Sequence, residues 1–405
     1  MGDDIVSESL ESETIFNDDI VENISTQTDL QVEKRFLTGK LTSEDLVAGS
    51  YLIKAESCLS KKLVSEKNFK DIIKVANYFP SNLTSFLGFE CHLGVEQPKA
   101  DWAFAISGVG KDKEIFTTMF KNNYLLKKFL KHPEWKQISK FAETWADPKS
   151  VLNDKVQCFW LEFDMPESSQ GAPIPCVFFG PTKQAGSLPL TELSQYEWLT
   201  KTALPLLKGK EITKNVEKTI KDCLEKMPKN TTLFQIGTML SRDSNSVRIH
   251  INKIKPEQII PYLTEIGWKG NTEEFENLIY DLKDKADRFV ISYDVTDLGI
   301  APRIGIELSF TSNLFHNEDW SCLFDYMVKK GICFPRKKEA LMEYVGTSDD
   351  EYFSGGIMKP VTSSANILET IESAKIVRYI NHVKIVYQPG KPLEAKAYPA
   401  VRLFE

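Results

Sequence analysis

The sequence is short of several features, and each shortage excludes a class of protein. Its seven cysteines (58, 91, 158, 176, 223, 322 and 333) are an odd number with no C-x-x-C spacing. That excludes a zinc finger and a disulfide framework, and predicts a reducing compartment in which the thiols mostly pack the core. Its five histidines form no H-E-x-x-H or H-x-H pair, so no metal is expected. No apolar run approaches the roughly 20 residues that span a bilayer. The opening residues contain no signal-peptide hydrophobic region, and Val6 stands where a myristoylation pattern needs Ser or Thr. These points predict a cytoplasmic protein without a membrane partner. A net charge of −7 gives no support to nucleic-acid binding, which usually shows a basic domain or stripe. There is no G-x-S-x-G, and no cysteine has an identifiable base, so nucleophilic catalysis is not expected. Gly108-Val109-Gly110-Lys111-Asp112 resembles the end of a phosphate-binding loop. It has Ala105 and Asp112 at two required positions, however, and is read as a turn after a strand.

What is present is the composition of an ordinary globular protein, 42% hydrophobic and 26% charged over 405 residues. Residues 1–34 are rich in Asp, Glu, Ser and Thr and cannot bury enough apolar surface to offset their ordering entropy. They are read as an acidic disordered tail, with a partner-binding arm as the alternative. Residues 35–405 are read as a single domain that opens with helices. Leu46, Val47, Tyr51 and Leu52 form a helical stripe after the capping candidates Thr42 and Ser43, and a second helix covers roughly Asn68 to Tyr78.

The hydrophobic period then changes. Two strand-like runs joined by a turn, followed by helical segments, recur five times. The pairs are Phe86–Leu93 with Asp101–Ser107, Gln157–Asp164 with Pro175–Phe179, Leu233–Met239 with Ser246–Asn252, Arg288–Asp294 with Pro302–Leu308, and Tyr379–Tyr387 with Leu393–Tyr398. Helices are expected at Tyr196–Leu207, Glu211–Met227, Pro256–Ile266, Thr272–Ala286 and Lys337–Val345, and near Ala365–Ser373. Asn271 with Glu274 has capping-box spacing, and Asn317 is an N-cap candidate. Hairpins strung together by helical pairs cannot build a doubly wound parallel sheet. They can close an antiparallel β-barrel of about ten strands with the helices outside, an α+β fold in which closure leaves no edge. An open α+β sheet, or two α+β domains divided near residue 230, fits the same elements.

Side chains alternate faces along a strand, so parity sorts them. Phe159, Leu161 and Phe163 oppose Trp160, Glu162 and Asp164. Val247, Ile249 and Ile251 oppose Arg248, His250 and Asn252. Ile304, Ile306 and Leu308 oppose Arg303 and Glu307, and Ser292 and Asp294 share a face. In the last strand Glu394, Lys396, Tyr398 and, past Pro399, Arg402 oppose Ala395 and Ala397, while Glu90 and His92 fall together in the first. If the apolar faces pack under the helices, the polar faces line the barrel interior; on an open sheet they would face solvent. Titratable groups gathered in one cavity suit proton transfer, which makes Glu90, His92, Glu162, His250 and Asp294 the acid–base candidates. His382 falls on the same face, and each histidine taken alone also fits a structural role.

The repeating pattern after about residue 70 resembles the barrel of aromatic prenyltransferases of the dimethylallyltryptophan synthase type. Gly88-Phe89-Glu90-Cys91-His92-Leu93 resembles that family's strand bearing the acceptor-holding Glu, which implies that Glu90 contacts the nucleophile. Glu394-Ala395-Lys396-Ala397-Tyr398 resembles its basic-x-Lys-x-Tyr strand, and Arg248-Ile249-His250-Ile251-Asn252 is a looser version. The resemblance implies a prenyl diphosphate co-substrate, met by Arg248, Arg303, Lys384, Lys396, Tyr398 and Arg402, with Trp160 also contacting substrate. Asp101, Cys176, Phe178, Gly305 and Glu307 depart from the pattern by putting acids or uncharged residues where cations or Tyr are usual. The expected function is therefore prenyl transfer to an aromatic or peptide acceptor in natural-product biosynthesis. The alternative is a non-prenyl tailoring or substrate-binding component of ribosomal-peptide maturation, working beside a partner enzyme.

Overall fold

The computed structural model describes residues 48–80, 83, 86–109, 112–122, 129–165, 173–182, 185–186, 196–242, 244–310, 317–347 and 375–404. The acidic tail at 1–34, the helix start at Thr42 to Val47, Gly110 with Lys111, and the helix expected near Ala365–Ser373 lie outside them.

Two helices lead in, α1 (Ala48–Ala55) and α2 (Glu66–Ala76). The Ser65 hydroxyl caps α2 by accepting from the Asn68 N–H at 3.2 Å, and its buried stripe is Phe69, Ile72, Val75 and Ala76. Then come β1 (Phe86–His92) and β2 (Ala100–Ser107). Helices α3 (Asp112–Asn122), α4 (Pro133–Ala146) and α5 (Val151–Lys155) lead to β3 (Val156–Phe163) and β4 (Cys176–Pro181). A π-helical stretch, Trp198–Ala203, runs into α6 (Leu204–Lys208), followed by α7 (Lys214–Glu225). The stretch precedes Pro205, which has no N–H to close an ordinary helical bond. Next are β5 (Thr232–Thr238), β6 (Val247–Asn252), α8 (Pro256–Glu265) and α9 (Thr272–Leu282). The chain ends with β7 (Arg288–Thr296), β8 (Gly299–Ser309), α10 (Asn317–Lys329), α11 (Pro335–Tyr344), the two-residue β9 (Gly346–Thr347), β10 (Lys375–Tyr387) and β11 (Glu394–Phe404).

Ten strands close an antiparallel barrel in the order β1-β2-β3-β4-β5-β6-β7-β8-β10-β11, and β11 returns to β1. Strand β9 only extends one end of β10. The sheet is closed, not open, so the polar faces line its interior. The outer faces are apolar and packed under the helices. Phe159, Ile249, Ile291, Ile306 and Ala397 are fully buried in one cluster with helical residues such as Trp135, Phe141, Leu263 and Leu323.

Several local expectations differ from the structure for identifiable reasons. β11 runs straight through Pro399 to Phe404, so Arg402 does belong to it. Asn271 caps α9 by accepting from the Glu274 N–H at 3.2 Å. The return arm of the capping box is absent because the Glu274 carboxylate instead accepts the Tyr387 hydroxyl at 2.7 Å. α10 starts at Asn317 itself.

Candidate active site in the barrel lumen

All ten barrel strands contribute to an internal cavity of about 90 Å³, far more than the roughly 10–15 Å³ one water needs. Six cationic side chains and four carboxyls line it. Of the residues singled out in the sequence, Glu90, Trp160, Glu162, Arg248, His250, Asp294, Arg303, Lys384, Lys396 and Tyr398 all line this cavity. Two do not. His92 lies at the barrel end, where its Nε2 is 3.0 Å from Asp101 Oδ2, and Asp101 also accepts the Met165 N–H at 2.7 Å. The Arg402 guanidinium sits 5.9 Å from the ring centres of both Phe86 and Tyr379, on the aromatic side of the lumen.

The titratable groups form a connected set. Lys396 Nζ donates to Glu90 Oε1 and the Tyr398 hydroxyl to Glu90 Oε2, joining β11 to β1. Burial pushes the Glu90 carboxyl up, but the adjacent Lys396 ammonium and the two hydrogen bonds outweigh it, and the group stays well below the usual carboxylate range. The Tyr398 ring stacks on His382 with centres 3.9 Å apart. Lys384 lies directly opposite Lys396 in the β10–β11 register and donates to Glu307 on β8 at 2.8 Å. Glu307 also has His250 Nε2 at 3.6 Å and His382 Nε2 at 4.0 Å. Burial raises the Glu307 carboxyl, yet Lys384 and the histidines bring it down to about 2. Burial holds both imidazoles neutral, His250 at about 3 and His382 at about 4, despite Glu307. Lys384 reaches Glu307 because residue 305 is Gly, whose missing Cβ would meet Lys384 Cε at 2.7 Å and Ser292 Oγ at 2.4 Å.

Two further pairs stand beside this set. Arg248 holds Asp294 through Nε at 2.7 Å and a second nitrogen at 3.0 Å, across adjacent strands. Arg242, in the β5–β6 connection, holds Asp164 in the same two-point way at 2.9 and 2.7 Å, with the Ser241 hydroxyl also donating to Asp164 at 2.7 Å. Arg303 pairs with Glu394 at 2.9 Å. Arg288 donates to the Asn252 side-chain oxygen at 3.1 Å. The sequence placed Glu307 on a polar strand face and as a departure from the family pattern but not among the candidate site residues, and it gave no sign of Arg242 and Arg288. Arg242 lies in a turn, where strand parity gives no signal. One side of the lumen is aromatic: Trp160 meets Phe86 edge-on at 5.0 Å and faces Phe178 in register, and Phe178 meets His250 edge-on at 5.4 Å.

Glu90, His92 and Asp101 have ligand atoms within 4.8 Å of one another. Glu90 is already neutralised by Lys396, so the group offers a cation little uncompensated charge. Among the described residues no helix is long and apolar enough to cross a membrane.

The closed barrel has the fold of the aromatic prenyltransferase barrels, as solved structures show. The apo crystal structure of prenyltransferase PriB superposes with a TM-score of 0.50 at 10% identity, covering 87% of this chain and 95% of that one. PriB has also been solved with L-tryptophan and dimethylallyl thiolodiphosphate, with a TM-score of 0.49 at 10% identity over 87% of this chain and 95% of that one. The 5-dimethylallyltryptophan synthase from Streptomyces coelicolor gives 0.49 at 8% identity over 88% of this chain and 97% of that one. No family model matches the sequence, and no curated protein does. At such identities the likeness to PriB carries the fold alone.

Proposed function

We propose that the chain is a transferase that holds an aromatic or peptide acceptor in the lumen and prenylates it from an allylic diphosphate. The observation that carries this reading is the Glu90 carboxyl, held by Lys396 and Tyr398 and lining the same cavity as Phe86, Trp160 and Phe178. A buried, ionised carboxylate can accept an acceptor's N–H or O–H and raise the electron density of the attacking ring. In the transfer the allylic C–O bond breaks, the acceptor's nucleophilic atom bonds to the allylic carbon, and the displaced proton leaves to a lumen base. In this reading Lys384, Lys396, Arg248 and Tyr398, which line the cavity, meet the developing diphosphate charge, and the aromatic side shields the cation from water. The test is thermal stability and product formation with five- to fifteen-carbon prenyl diphosphates and aromatic acceptors. Stabilisation by the diphosphate, with turnover lost in Glu90→Gln, is expected; no stabilisation by any of them sinks the reading.

One observation favours a second reading. Lys384, Lys396, Arg242, Arg248 and Arg303 each already face a carboxylate, so a diphosphate would have to displace acids from its own binding groups. A lumen neutralised in this way suits a component that binds a peptide and presents it or tailors it without a diphosphate. Affinity for an aromatic-containing peptide, reduced in Glu90→Ala, with no response to prenyl diphosphates would select it.

A further inference from the structure

Of the four carboxyls lining the cavity, three have strong partners: Glu90 with Lys396 and Tyr398, Asp294 with Arg248, and Glu307 with Lys384. Glu162 on β3 has no salt bridge and no hydrogen bond to its carboxylate among the described residues. Its neighbours across the sheet are small. Ala103 faces it on β2, Gly88 lies beyond Ala103 on β1, and Cys176 faces it on β4. The space beside the carboxyl is therefore not filled by side chains. Two residues along the same strand, Trp160 adds an indole to the Phe86 and Phe178 rings, and aromatic faces attract cations. His250, whose buried Nδ1 has no partner among the described residues, lines the same cavity as a second polar contact.

We propose that Glu162 is the lumen's recognition group for a cationic nitrogen, so that the ligand the barrel selects is an amine joined by a short linker to a flat apolar group. This deepens the acceptor-binding part of the proposed function and does not depend on diphosphate transfer. Five of the six lumen cations already face a carboxylate and Arg288 donates to Asn252. The lining's unmatched carboxylate is thus Glu162, and a ligand carrying one positive charge matches it. A half-buried carboxylate with no partner is costly to ionise. The charged groups acting on Glu162 are Glu90, Glu307, Lys384 and Arg248, and its own charge reaches the neutral Cys176 thiol and Tyr398 hydroxyl. Burial, reinforced by Glu90, pushes the carboxyl up to about 7. A bound cation favours the ionised form, so binding near neutral pH should release a proton, and affinity should rise as pH increases through 7.

The test is calorimetry on the full chain with 2-naphthylethylamine, 2-naphthylethanol and 2-naphthylacetate, which keep one ring and change one group. The expected result is amine binding at least about tenfold tighter than alcohol at pH 7.5, a difference of about 1.4 kcal/mol. Acetate should be weakest. Proton release, read from buffers of different ionisation enthalpy, should accompany the amine alone. Glu162→Gln should bring the amine to the alcohol's affinity, remove the proton release and leave the alcohol unchanged. Equal binding of amine and alcohol by the native protein, no proton release, or no binding of any of the three overturns the proposal without recourse to a variant. So does an amine preference that survives Glu162→Gln in protein shown to be folded. Prenyl transfer to neutral acceptors with no amine preference would remove this inference and leave the transferase reading. Amine selectivity with no response to prenyl diphosphates would do the reverse.

Discussion

The two faces of the barrel wall are held by different physics. On β6, Val247, Ile249 and Ile251 are completely buried against the helices, while Arg248 and His250 on the alternate positions point into the lumen. The outer face is stabilised by removal of apolar surface from water, which is non-directional and needs only shape and volume. The inner face must satisfy each charge with a specific partner, often from a strand distant in sequence: Glu90 meets Lys396 and Lys384 meets Glu307. The outer face thus specifies that the barrel forms, and the inner face specifies what it can hold.

The comparison predicts that the largest single-residue loss comes from the outer face. Phe159→Ala removes a ring packed on Phe116, Phe141 and Trp145 and should cost about 3–5 kcal/mol in denaturant melts. A loss below about 1 kcal/mol would contradict close packing there. Inside, Lys384→Met should cost about 3 kcal/mol because it leaves Glu307 without its cation. Lys384→Met combined with Glu307→Leu should come within about 1 kcal/mol of the native protein or exceed it. Additive losses in that double variant would show that the pair contributes net stability, which would erase the contrast between the faces.

Glu162 sharpens the contrast through pH. Its folded-state carboxyl is raised to about 7 from 4.5, so the cost of ionising it is absent below pH 4.5 and complete above pH 7. Glu162→Gln should therefore stabilise the ligand-free protein by up to about 3 kcal/mol at pH 8 and by nothing at pH 4. Equal effects at both pH values would place the carboxyl in water. The smallest effect should be that of Gly305→Ala, whose added methyl must displace the ends of Lys384 and Ser292 at about 1–2 kcal/mol. It should be relieved when Ser292→Ala and Lys384→Ala together remove the two atoms the methyl meets, and an unchanged cost in that background would assign it to the backbone instead.

Much of the inner and outer assignment was legible because β parity is local: reading Trp160 and Glu162 against Phe159 and Leu161 needs four consecutive residues. Partner identities were not legible. Arg248 and Asp294 are 46 positions apart, and nothing between them records that β6 and β7 align those two residues. His92 shares parity with Glu90 but lies at the barrel end, since parity gives a face and not a depth. The register shift between Ile380 and His382 brings both Asn381 and His382 to the cavity, which strict alternation forbids. The Asn271 and Glu274 spacing fitted a capping box, but the Tyr387 hydroxyl, supplied by a distant strand, took the carboxylate.

By itself the sequence determined the hairpin-and-helix repeat, the apolar face of each strand and the inventory of titratable groups. All three depend on contacts or periodicities within a few residues. Only the tertiary structure decided that the hairpins close into a ring, and that closure leaves Glu162 without the partner its neighbours have. Pairing across a barrel is set by register and shear summed over every strand, and no local stretch of chain carries that sum.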